Sequence, residues 1–186
     1  MSDSNERVIK IVCSAALQSW RVTGLGPDTR HTELQPTKSA ITGLIANALG
    51  YNRGDVRIDI LHNNYELYLD KSESGINDKL KGNMPACIPQ IISDYQTVRA
   101  SGMPTAGGGS LDTASERDKE YIAGHRYILY IKASPEVITL ISNALQNPER
   151  DLYLGSKVCC PAEDIFQGMQ EIKGLEDSYA YQHIRN

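Results

Sequence analysis

No apolar run in this chain reaches the roughly 18 residues that a membrane-crossing helix needs, so no spanning segment and no membrane partner are expected. The opening Met1-Ser-Asp-Ser-Asn-Glu6 is polar and acidic, unlike a signal or transit peptide. A cytoplasmic protein is the expectation. Cysteine is sparse: Cys13, Cys87, Cys159 and Cys160 contain no Cys-x-x-Cys pair, the kind of spacing a structural zinc site uses. Reduced, unliganded thiols are expected, with Cys13 in the core. The four histidines, His31, His62, His125 and His183, lie far apart and share no motif with Ser, Cys or Asp. There is no His-x-x-x-His, no carboxylate cluster suited to a metal, and no Gly-x-x-x-x-Gly-Lys-Ser/Thr. Gly24-Leu25-Gly26 runs into Pro27 and is not a dinucleotide fingerprint. No cofactor is therefore expected. A basic excess is also missing, with 19 Lys and Arg against 23 Asp and Glu for a net charge of −4. That argues mildly against a free-standing nucleic-acid binder, yet placement matters more than the total. Arg21, Arg30, Lys38, Arg53, Arg99 and Lys157 all fall in or beside loops.

What is present is an ordinary globular composition, 40% hydrophobic and 23% charged over 186 residues, enough for one domain with a sizeable core or one with an extended appendage. Residues 7–14 are dense in β-branched side chains and read as a central strand. The polar stretch 21–35 is long for a connection, hence functional or mobile. A helix is expected over 37–49. Val56, Ile58 and Ile60 alternate with Asp55, Arg57 and Asp59, which predicts a half-buried strand over 55–61 paired in a hairpin with 65–69. Residues 71–90 are polar and broken by Gly and Pro, and a short strand follows at 91–97. Residues 100–124 are glycine-rich, with few large apolar side chains, and read as an excursion outside the core. A strand at 126–132, a helix opened by Ser134-Pro135-Glu136 and a short strand near 152–154 complete the reading. Strand, helix, strand, hairpin strand, then helix and strand is the βαββαβ pattern of a ferredoxin-like α+β fold, an antiparallel sheet with two helices on one face.

The segment Pro36-Thr-Lys-Ser-Ala-Ile-Thr-Gly-Leu-Ile-Ala-Asn-Ala-Leu49 carries the first functional signal. Thr37 is a good N-cap, and Lys38, Ser39 and Thr42 cluster around the first turn. Free backbone N–H groups and the positive end of the helix dipole attract anions there. Ile41, Leu44, Ile45, Ala48 and Leu49 give the helix a core face, and Gly50 stops it.

Other blocks give that helix a context. They run in the order Leu17-Gln-Ser-Trp20, Pro36-Thr-Lys-Ser39 leading into Gly43-Leu-Ile-Ala-Asn-Ala-Leu-Gly50, Asp94-Tyr-Gln-Thr97 and Tyr153-Leu-Gly-Ser-Lys157. In order and spacing the chain resembles the "Cas-five" family of CRISPR Cascade subunits, in its type I-E CasD form. The matching blocks cover residues 15–53, 94–97 and 126–166. The resemblance implies an RRM-like fold with an inserted β-hairpin thumb, for which residues 71–125 are the natural place in a single domain spanning 1–186. It also implies a non-catalytic antiviral-defence subunit that grips the repeat-derived 5′ handle of the CRISPR RNA (crRNA) and caps the backbone filament of a ribonucleoprotein. Its partners would be the crRNA, the CasC backbone subunit and the large CasA subunit, with target DNA met only through the guide. The thumb would press between the first guide nucleotides.

Single-stranded RNA is held by phosphate contacts and by bases stacked on aromatic side chains. Gln18, Ser19 and Trp20 close the first block, with Trp20 read either as a stacking platform or as a buried anchor. Tyr95 and Tyr153 lie at strand ends. Lys38 and Ser39 at the helix start, with Ser156 and Lys157 after Gly155, are the expected phosphate ligands, and Arg30, Thr37, Thr42 and Arg53 are also expected to bind RNA. Gly155 would let the backbone approach RNA closely, or simply make a turn. The alternating run Glu116-Arg-Asp-Lys-Glu120 reads as solvated surface. One catalytic alternative stands beside this: the type I-C relatives resemble a metal-independent endoribonuclease using Tyr, Lys and His. His125 beside Arg126, with Lys119 and Tyr121, is the one local cluster of those types, although the adjacent Lys-His pair of that subfamily is absent. A general RRM-like module is less well matched, since neither 7–14 nor 126–132 carries a Lys/Arg-Gly-Phe/Tyr run.

Overall fold

The computed structural model describes residues 6–22, 29–71, 75–76, 89–98, 103–104, 107–111, 115–172, 175 and 181–184. Arg99, Cys87 and the Gly-Leu-Gly at 24–26 lie outside them. In chain order the elements are β1 (Glu6–Ser14), β2 (Leu17–Gln18), β3 (Thr29–Arg30), α1 (Lys38–Ala48), α2 (Val56–Asn63), β4 (Tyr65–Asp70), β5 (Gly75–Ile76) and β6 (Gln90–Val98). There follow β7 (Met103–Pro104), β8 (Ser110–Leu111), β9 (Ser115–Ala123), β10 (His125–Ala133), α3 (Pro135–Gln146), β11 (Phe166–Ile172) and β12 (Tyr181–His183).

The main sheet is antiparallel in the order β11-β1-β10-β4-β12, with β5 added alongside β10. Its two central strands are apolar almost throughout because both faces are covered. On one face Ile9, Ile11, Cys13, Tyr127, Leu129 and Ile131 pack with Ile41, Leu44, Ile45, Ile138, Ile141 and Leu145 from α1 and α3. On the other, Val8, Val12, Ile128 and Tyr130 meet Tyr68, Leu175 and Tyr181. The period of two along a strand sorts the side chains between these clusters. Each fully buried Ile or Leu contributes about 1.5–3 kcal/mol.

The helix expected at 37–49 is α1, with Thr37 Oγ1 accepting from Ala40 N–H at 3.2 Å. A second, smaller sheet grows from the first: β6 and β9 pair antiparallel from Gln90↔Ala123 to Val98↔Ser115, and β2 and β3 line the other edge of β9.

Three expectations are corrected. Residues 55–61 are not a strand, since 56–63 form helix α2 and the hairpin with 65–69 does not exist. Asp55 caps that helix, its carboxylate accepting from Arg57 N–H at 2.9 Å. Val56 and Ile60 sit four apart on a helix and are 68% and 56% exposed, leaving Leu61 as its buried residue. Alternation over so few residues fits either period, and the Asp cap was the deciding signal. No strand occurs at 152–154, whose backbone is used otherwise: Leu154 N–H donates to the Cys159 carbonyl and Gly155 N–H to that of Tyr153. Residues 100–124 are not all outside the core, because Tyr121 and Ile122 are buried in it.

Candidate nucleic-acid interface

A close backbone approach joins two of the predicted blocks. Ser19 N–H donates to the Leu154 carbonyl at 3.1 Å, and Gly155 then passes so close that a Cβ there would sit 1.7 Å from the Ser19 carbonyl oxygen. Gly155 has φ +94°, a region that side chains rarely tolerate. The glycine's freedom is thus used against the protein's own backbone. It presents the turn Ser156–Lys157, where Lys157 is exposed and Ser156 half-buried. Cys159 N–H closes the turn on the Ser156 carbonyl at 2.8 Å.

Beneath this turn lies Tyr121 of β9. Burial pushes its phenol up, Cys159 and Asp94 act in the same direction, and Ser156 and Arg30 pull it back. Gly155, Ser156, Ser19 and Arg30 therefore belong to one neighbourhood. The segment 29–36 is strapped to it rather than loose. Trp20 N–H donates to Thr32 Oγ1 at 2.8 Å, Glu33 N–H to the Trp20 carbonyl at 2.7 Å, and Thr32 N–H to Glu120 Oε2 at 3.1 Å. His31 Nδ1 meets Glu120 Oε1 at 2.9 Å, and the Tyr127 hydroxyl donates to the Leu34 carbonyl.

Several predicted ligands are placed where they cannot serve as predicted. Trp20 is 1% exposed and stands edge-on to Tyr127, 6.4 Å between ring centres, so it is a core anchor with no face open for a base. Gln18 is fully buried, its Nε2 donating to the His125 carbonyl; its Oε1 and the Trp20 indole N–H have no hydrogen-bond partner among the described residues. Thr42 is buried and its hydroxyl is committed to the Lys38 carbonyl, His62 Nδ1 and the Tyr65 hydroxyl, each at 2.8 Å. β-Branched Thr on the core side of the first turn is a structural residue here. Lys38 holds its ammonium 5.2 Å from the centre of the Tyr65 ring, a cation–π contact, while Ser39 beside it is exposed. Thr37, Lys38, Ser39 and Thr42 form a second cluster with Tyr65 and His62. Arg53 is exposed in the turn before α2, and Tyr153 is half-buried ahead of Gly155.

His125 is 5% exposed, with its ring 4.4 Å from that of Tyr127, and burial lowers its pKa. It is a neutral packing residue rather than a solvent-facing base.

The β6–β9 register exposes what the charge run conceals. Residues directly opposite share a face. Tyr95 faces Asp118, Thr97 faces Glu116 and Ser93 faces Glu120, giving one side an acidic row. On the other side Gln96 opposes Arg117 and Asp94 opposes Lys119, while β3 sets Arg30 beside Lys119. Signs that alternate along a strand become segregated across it. Arg117 and Lys119 are thereby joined to Arg30, and the signal for them was a period of two in charge. Tyr95, 59% exposed, lies on the acidic side, away from these cations.

A family model described as "CRISPR-associated protein (Cas_Cas5)" matches residues 8–185. Among solved structures, one titled "CRISPR RNA-guided surveillance complex" superposes with a TM-score of 0.67 at 21% identity, covering 86% of this chain and 61% of that one. Another, titled "Crystal structure of Cas protein", gives 0.52 at 20% identity, covering 84% and 60%. The likeness at these identities is one of fold, and the chain spans about three fifths of the length of either structure. No curated protein matches it.

Proposed function

The chain belongs to the CRISPR-associated Cas5 family, and from that premise we propose that it is the RNA-holding subunit of a CRISPR surveillance complex, of the type I-E CasD kind. It grips the repeat-derived 5′ handle of the crRNA without cutting it. CasC and the large CasA subunit are its protein partners, and target DNA is read by the guide's base pairing. The strand order β11-β1-β10-β4, with α1 and α3 packed on one face, supports a ferredoxin-like, RRM-like body. The β6–β9 hairpin supports a thumb within residues 71–125. Among the described residues no helix is long and apolar enough to cross a membrane, and the proposed setting is the cytoplasm.

The observation that carries the reading is the clasp of Gly155 on Ser19, which sets the half-buried Ser156 against Tyr121 in the company of Arg30, with Lys157 exposed in the same turn. A serine hydroxyl near an arginine, with an exposed lysine next to it in the turn, suits phosphates. His125, the His of the alternative endoribonuclease, is packed on Tyr127, and a general base must reach the proton it removes.

The test uses labelled handle-bearing repeat RNA, and a scrambled RNA of equal length, in excess EDTA. Selective retention of the handle RNA without product is expected. Lys157→Ala and Arg30→Ala should each weaken it and lower the salt slope by roughly 0.7, the value of one single-strand phosphate contact. Product formation would make the protein an enzyme, and equal binding of both RNAs would make it a general RNA module.

A further inference from the structure

We propose that the β6–β9 hairpin is a one-sided lane for a phosphate backbone, with Arg30, Lys119 and Arg117 holding the strand on one face and the opposite face repelling it. The proposal goes beyond handle gripping, resting on the reading above only for the identity of the ligand as RNA. Its basis is register. Arg117 and Lys119 are two residues apart on β9, so they point the same way and stand about 7 Å apart. The parallel pairing of β3 adds Arg30 directly beside Lys119. Arg30 and Arg117 are exposed and Lys119 is half-buried. The lane begins at the Ser156–Lys157 turn, because Tyr121, the next β9 residue on that face, is the one under that turn.

Asp94 is the single carboxylate among the described side chains of this hairpin face, opposite Lys119, and Gln96 Nε2 already donates to it at 2.6 Å. Three cations against one anion leave the face net positive. The other face carries Glu116, Asp118 and Glu120, and His31 is the one basic side chain placed against them among the described residues. Within a Debye length of about 8–10 Å the two faces present opposite fields to a polyanion. RNA following the hairpin is thus confined to one side.

Full-length protein, wild type and two double variants, is titrated with a handle-bearing RNA and a scrambled RNA by fluorescence anisotropy across a salt series. Arg117→Ser with Lys119→Ser should weaken both RNAs several-fold and flatten the salt slope by roughly 1.4, two contacts at about 0.7 each. Glu116→Lys with Asp118→Lys should tighten both RNAs and steepen the slope, since it opens the second face. Glu120 is left in place because it holds His31 and Thr32. Circular dichroism verifies folding of each variant. An unchanged slope in the first variant, or no gain in the second, overturns the lane. Equal wild-type affinity for both RNAs overturns handle selectivity alone, with the slopes still deciding the lane. A wild-type protein that binds neither RNA overturns both.

Discussion

An ideal Cβ on Gly155 would lie 1.7 Å from the Ser19 carbonyl oxygen, and the backbone there already holds φ +94°. Gly54 has a similar φ of +84° but nothing within 4 Å of the same hypothetical atom. The pair separates backbone strain from collision. Gly54→Ala should cost roughly 1 kcal/mol and Gly155→Ala clearly more, beyond the roughly 1–3 kcal/mol of strain alone. Urea unfolding midpoints read the difference; equal losses would mean that the clasp on Ser19 is looser than the geometry says. His125 supports a second prediction at this scale. Burial holds its imidazole below the ordinary 6.5. As pH falls through 6.5 the unfolded chain takes up a proton that the folded chain resists, so the stability present above that value is progressively lost below it. His125→Phe, which keeps a ring beside Tyr127, should flatten the unfolding free energy across that window. Glu163 does not confuse the result, because its hydrogen bonds to Arg126 lower a carboxyl whose ordinary value is 4.5, and its loss falls below that.

The helices show how far local signals reach. Thr37 and Ser134 both read as N-caps, yet only Thr37 makes the bond: its Oγ1 accepts from Ala40 N–H, whereas Ser134 makes no side-chain cap bond and acts on the Glu136 carboxylate. Thr37→Ala should therefore cost about 1 kcal/mol and Ser134→Ala only a few tenths. Thermal melts of the two variants compare them directly, and equal shifts would refute the distinction. α1 and α3 were legible because i, i+3, i+4 apolar repeats over three turns leave no competing period. α2 was not, since Val56, Ile58 and Ile60 satisfy a strand's alternation while the helix leaves two of them in water. The same blindness runs through the site. Thr42, Gln18 and Trp20 lie in the recognised blocks, but whether such residues face ligand or core depends on contacts 20 to more than 100 residues away, such as Tyr65, His62, Tyr127 and the His125 carbonyl. Conversely, Arg117 and Lys119 looked like solvated charge until a strand gave their spacing a direction.

At the scale of the whole molecule the hairpin is continuous with the core at its base and separate from it further out. Tyr121 and Ile122 are buried, and Glu120 ties down His31 and Thr32, whereas Glu116 and Arg117 are exposed, as is every described β6 side chain except half-buried Gln96. A cut through 102–120 would thus sever Glu120 and strain the strap that seals Trp20. The body should instead tolerate joining Gln96 to Arg117, which face each other in the register, through an Asn-Gly turn. Residues 97–116 carry few large apolar side chains, so after their replacement the melting temperature should stay close to wild type. Tyr121→Ala with Ile122→Ala should lower it sharply, since large-to-small core changes cost about 2–5 kcal/mol each. The shortened protein keeps Arg30, Lys119 and Arg117, so it should still bind single-stranded RNA. If the distal hairpin is the thumb, it should fail to join the other subunits in a reconstituted ribonucleoprotein resolved by size. A shortened chain that melts early would place core contacts in the distal hairpin, and one that assembles normally would remove the thumb from that role.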